Sequence, residues 1–153
     1  MIPENVQNVL TTGVGHIGTV SQDNKPSHAD LLGINSEKET GVVSCFLNKN
    51  ASLKFLDHVE KTGRISLFVG VISHEAYNLK GRLETLGITS SIEKEICQKF
   101  SVGILELYSQ MGMDKNLANK FWGMEPDTAL TFSVEKIFIQ TPGPDAGKEM
   151  SME

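Results

Sequence analysis

The chain has 153 residues, 39% hydrophobic and 22% charged, so it fits one globular domain whose core needs neither disulfides nor metals. Fourteen Lys and Arg against 19 Asp and Glu give a net charge of −5 with no dense basic run, which argues against nucleic-acid binding. No apolar stretch is long enough to span a bilayer, and residues 1–5 lack the basic region and apolar core of a secretory signal, so a cytoplasmic protein with no membrane partner is expected.

Pro3 followed by Val6, Val9 and Leu10 at helical spacing predicts a short helix over residues 3–12. Alternation from His16 to Ser21 predicts a first strand, ended by the turn Gln22-Asp23-Asn24-Lys25-Pro26. A second strand is expected over residues 27–34 and a third over 41–47. The chain then enters the polar turn Asn48-Lys49-Asn50-Ala51 and a helix over residues 50–61, with Asn50 as its cap and Leu53, Leu56 and Val59 on one face. Strands are expected over residues 64–72 and 77–86, the latter with Tyr77, Leu79, Gly81 and Leu83 on one face and Lys80, Arg82 and Glu84 on the other. A glycine in mid-strand marks a bulge or a close backbone approach.

Ser90-Ser91-Ile92-Glu93 has the capping-box pattern and predicts a helix over residues 90–108. A further short helix starts at Asp114, with Leu117 and Phe121 inward and Gly123 as its stop. The sixth and last strand spans residues 128–140, with a break near Glu135-Lys136. Residues 1–141 read as one domain and 142–153 as an extended or disordered tail. Six strands without repeated βαβ units give a mainly β fold, an antiparallel barrel with peripheral helices.

Cys45 lies mid-strand and Cys97 on an apolar helix side, so buried free thiols are the expected state. His16, His28, His58 and His74 have no ligand-pair spacing, and no metal site is expected. No nucleophile elbow, triad order or paired-carboxylate signature is present, which leaves the catalytic residues unassigned. Trp122 with Phe121 and Met124 reads as core or interface packing, or as an aromatic lid.

Ser52 and Lys54 stand in the first turn of the helix that follows the third strand. Free N–H groups and the positive dipole end there favour an anion, and a hydroxyl and an ammonium add to that. The other reading is a capped surface helix with a solvated lysine.

The serial order of Gly18-Thr19-Val20 through Lys25-Pro26-Ser27, Val43–Leu47 with Asn48-Lys49-Asn50-Ala51-Ser52-Leu53-Lys54, Arg64-Ile65-Ser66-Leu67-Phe68-Val69 and Leu79-Lys80-Gly81-Arg82-Leu83-Glu84 resembles the pyridoxamine 5′-phosphate oxidase-like family. The resemblance covers about residues 5–90 and implies a six-stranded antiparallel split β-barrel of the FMN-binding type. It further implies that Ser52 and Lys54 hold the FMN phosphate, with Lys49 or Arg64 in support and Asn48 in the same turn. Ala29, Asp30 and Leu31 would lie along the flavin ring, Leu47 beside the ribityl chain, and His74 near the ring edge. A homodimer with the cofactor at its interface is implied too. The oxidases' Arg–Gln–x–Arg group is replaced by Glu75-Ala76-Tyr77-Asn78, so oxidation of pyridoxamine phosphate itself is not expected. The expectation is an FMN-binding flavoprotein, an oxidoreductase acting on an unidentified small molecule or redox partner. The alternative is a non-catalytic binding or electron-transfer module, haem-binding or flavin-free.

Overall fold

The computed structural model describes residues 1–152. After helix α1 (Glu4–Thr12) the chain forms β1 (Val14–Val20), β2 (Pro26–Asp30), β3 (Gly33–Glu37) and β4 (Val42–Leu47). A single 3₁₀ turn, Asn50–Ser52, leads into α2 (Leu53–Thr62). Then follow β5 (Arg64–Gly70), β6 (Ala76–Ile88), α3 (Ser91–Gln110), α4 (Lys115–Trp122), β7 (Thr128–Ile139) and the short β8 (Glu149–Met150). Seven strands pair in the order β2-β1-β5-β6-β7-β4-β3, every neighbouring pair antiparallel, and β8, within residues 142–153, pairs with β7.

Seven strands replace the six expected because the second is divided. Residues 26–30 pair with β1, whereas residues 33–37 pair with β4 at the far end of the path. Between them Leu31 and Leu32 are both buried, and the Leu32 N–H donates to the Phe46 carbonyl at 2.8 Å. Two consecutive buried leucines cannot both face the core from one flat strand, whose side chains alternate. They form the corner at which the chain crosses from one end of the sheet to the other, and the curled sheet is a split barrel.

The core fills the concave side. Ile17, Val43, Cys45, Leu67, Leu79, Leu130, Phe132 and Ile137 point inward from the strands, and Val6, Leu10, Phe55 and Val59 close the cluster from α1 and α2. Helix α1 packs on β3 and β5, and α2 on β1 and β2. Both cysteines are buried and free. Helix α3 opens with the expected capping box: Ser90 accepts from the Glu93 N–H, and the Ser90 N–H donates to the Glu93 carboxylate. Helix α4 departs from expectation. Ala118 is its buried residue, while Leu117 and Phe121 are both 47% exposed. α4 packs on α3 rather than on the sheet, and Trp122 stacks on Tyr108 with ring centroids 4.6 Å apart.

The break expected near Glu135-Lys136 is a bulge within one continuous strand, where the β6–β7 register shifts between Lys80 and Gly81. A Cβ at Gly81 would collide with the Ser133 carbonyl oxygen, so the bulge brings two backbones closer than any side chain permits.

Candidate functional site

The Asn48–Lys54 segment links β4 to α2, and its lower part is tied down. The Asn48 amide donates to the Glu125 carbonyl at 2.9 Å and accepts from the Ala51 N–H at 3.1 Å. The Lys49 N–H donates to the Asp127 carboxylate at 2.7 Å, and the Ser52 N–H to the Lys49 carbonyl. Asn48 therefore works as a brace. Helical bonding begins at Asn50 as a 3₁₀ turn and becomes α-helical only at Leu53, which leaves Ser52 rather than Asn50 at the cap of α2.

Ser52 is only 3% exposed, yet its hydroxyl makes no capping bond and has no hydrogen-bond partner among the described residues. Lys54 and Lys49 are exposed, and neither ammonium has a partner among the described residues. The fully buried side-chain atoms without a partner among the described residues are Gln7 Nε2 and Thr89 Oγ1, so Ser52 Oγ, unpartnered but not among them, reaches the surface and is open to a ligand. This donor set, one held hydroxyl and two unpaired ammoniums at a helix N-terminus, fits a phosphate ester.

Ala29 and Asp30 end β2, against which the 3₁₀ turn packs, and Leu31 follows at the corner. β2 is an end strand of the sheet, so its outer edge carries backbone groups free to bond a ligand. The side chains of Ala29, Leu31 and Leu47 are buried in the core, which restricts any ligand contact there to backbone. The Asp30 carboxylate is 2.9 Å from His16 Nδ1 on the convex face.

Two expected supports lie elsewhere. Arg64 begins β5 beyond the C-terminal end of the ten-residue α2, about 15 Å of helix from Ser52. His74 sits in the β5–β6 turn at φ 71°, its N–H donating to the Val71 carbonyl at 2.9 Å. It lines a cavity of about 460 Å³ with His16, Phe68, Ile72, Tyr108 and Met111, to which neither Ser52 nor Lys54 contributes. Among the described residues no group of three or more His, Cys, Asp or Glu is arranged to hold a metal, and no helix is long and apolar enough to cross a membrane.

The convex face also carries a cleft of about 660 Å³ across β2, β1, β5, β6 and β7. Arg64, Lys80, Arg82 and Lys136 rise from its walls and Gly18 lies in its floor. Sequence inspection missed this grouping because its members come from three strands. The signal was the outward set Lys80 and Arg82, which acquires meaning only once the register is known.

The architecture is that of the antiparallel split barrel, a fold this chain shares with pyridoxamine 5′-phosphate oxidase-like FMN-binding proteins. It is similar to HupZ of Group A Streptococcus, with a TM-score of 0.58 and 16% identity over 96% of this chain and 100% of that one. It is also similar to a protein of Lactobacillus delbrueckii designated a pyridoxamine 5′-phosphate oxidase (TM-score 0.56, 12% identity, 90% and 93% covered). An FMN-binding protein of Syntrophomonas wolfei superposes with a TM-score of 0.53 at 11% identity, covering 97% of this chain and 82% of that one. No family model matches the chain, and no curated protein matches it. At these identities the likeness defines the fold.

Proposed function

We propose that this protein binds FMN and acts as an oxidoreductase on a small molecule or a redox partner. The observation that carries this reading is the unpartnered hydroxyl of the buried Ser52, set beside unpaired Lys54 on a fold that FMN-binding proteins share. Ser52 Oγ would donate to the phosphate, and the ammoniums of Lys54 and Lys49 would neutralise it, in charge-assisted bonds stronger than neutral ones. The free edge at the end of β2 (Ala29 and Asp30), with Leu31 just beyond it, would contact the ring through backbone N–H and C=O. Bound flavin would supply the hydride or electron chemistry. The protein's own share is anchoring, orientation and control of access, which agrees with a sequence that offers no acid–base pair.

The same reading includes a homodimer with the flavin near the subunit interface. It is supported by apolar groups left on the surface around the His74 cavity, where Phe68 is 41% exposed, Ile72 62% and Met111 60%.

Titration of flavin fluorescence against the purified protein tests the proposal. Saturable binding of FMN is expected, with riboflavin bound at least tenfold more weakly because it lacks the phosphate. A protein that takes up neither would overturn it.

A further inference from the structure

We propose that the cleft on the convex face is a binding site for a small ligand carrying two phosphate groups, separate from the Ser52 turn. Four of the chain's 14 Lys and Arg line this cleft, against one of its 19 acidic residues, although the net charge is −5. The pairing register sharpens the point. Arg64 stands directly opposite Arg82 across β5 and β6, and Lys80 directly opposite Lys136 across β6 and β7. Directly opposed side chains on one face are about 5 Å apart at Cβ, where like charges destabilise a sheet.

Neighbouring acids relieve only part of this. Glu135 lies 3.6 Å from the Arg82 guanidinium, and Glu149 of β8 accepts from Lys136 at 3.1 Å. Arg64 and Lys80 have no acidic partner among the described residues; the Lys80 ammonium instead rests 4.8 Å from the Phe138 ring centroid. Lys80 and Arg82 are two residues apart on β6, about 7 Å along the strand. Each opposed pair can therefore serve its own phosphate group, and arginine's fork suits phosphate oxygens in particular.

Gly18 gives an independent indication. It pairs with His28 on one side and Ser66 on the other, in the middle of the face. A Cβ built there meets nothing closer than the Ser27 and Ser66 carbonyl oxygens, each at 3.7 Å, so neither packing nor backbone conformation demands glycine. Glycine in a strand interior is itself unfavourable. What its bareness provides is the depth of the cleft, as at sites where a ligand approaches a backbone closely.

Calorimetric titration with inorganic pyrophosphate, against inorganic phosphate and chloride at matched ionic strength, tests the proposal. Pyrophosphate is expected to bind saturably and more tightly than phosphate, and ADP to compete with it. Arg64→Gln and Lys80→Gln should each weaken pyrophosphate at least tenfold, with a melting temperature equal to or above wild type as repulsion is relieved. Gly18→Val should fill the floor and abolish binding in a folded protein. Ser52→Ala with Lys54→Ala should leave pyrophosphate affinity unchanged. Absence of saturable binding by the wild type, or unchanged affinity in Arg64→Gln, would overturn the site. Displacement of pyrophosphate by FMN together with weakened pyrophosphate binding in the Ser52/Lys54 variant would overturn its separateness, whereas failure of FMN to bind would leave it standing.

Discussion

Ser52 and Gly81 show how much one residue's surroundings decide. Charge-assisted hydrogen bonds contribute about 1.5–3 kcal/mol each, so Lys54→Ala and Ser52→Ala together should weaken FMN by roughly two to four orders of magnitude. Fluorescence titration measures this, and unchanged affinity in the folded double variant would reduce the turn to a helix start. Gly81→Ala sets a methyl group against the Ser133 carbonyl, and chemical denaturation should show a loss of about 1–3 kcal/mol or more. Gly103→Ala, in the interior of α3 with open space around it, should instead gain about 0.5–1 kcal/mol. Tyr77 is 4% exposed, donates to Glu75 at 2.7 Å and accepts from Asn5. Burial, with the Glu75 carboxylate beside it, pushes its phenol up to about 12 from 10. The folded state thus keeps a proton that the unfolded chain sheds, so stability should be undiminished below pH 10 and fall as the pH rises from 10 to 12. Denaturant midpoints across that range check it, and Tyr77→Phe should flatten the slope. The types and spacing of Ser52, Lys54 and Gly81 were legible in the sequence, because each acts through its own stretch of backbone. The opposition of Arg64 to Arg82 was not, since it exists only when two strands are laid side by side.

At the scale of elements, legibility followed how local the forces are. The capping box at Ser90 and Glu93 involves four consecutive residues, and it stands as written. Ser90→Ala should cost about 0.5–2 kcal/mol in a denaturant series, because the Glu93 N–H loses its acceptor. The 27–34 segment misled because Ala29, Leu31, Leu32 and Ile34 suit a strand buried on both faces as well as a corner. The adjacent leucines were the clue, and only the partners, β1 before them and β4 after, settle it. Helix α4 misled for a related reason. Leu117 and Phe121 have inward spacing, but α4 rests on α3, and Ala118 is the residue it buries. Periodicity identifies an apolar stripe without saying whether a partner covers it.

The whole molecule leaves uncovered an apolar area that a single copy of the chain does not bury. Phe68 faces outward on β5, and Ile72 and Met111 border the same cavity. Surface phenylalanine, isoleucine and methionine grouped in this way mark a contact site more often than isolated apolar residues do. If a second copy covers them, as the proposed dimer requires, the solution mass should be about twice 16.8 kDa at micromolar concentration. Phe68→Glu would place a carboxylate in a desolvated contact, where an unpaired charge is expensive, and should return the protein to the monomer mass. Phe68 is not part of the core cluster, so the variant should keep the fold and its melting should show it. Sedimentation equilibrium on both proteins, each with and without FMN, separates the possibilities. A wild type that remains at the monomer mass with FMN present would remove the dimer from the proposal. A Phe68→Glu dimer would move the interface to another face. A monomeric Phe68→Glu that also loses FMN would join the two features, because a flavin near the interface draws part of its affinity from the partner.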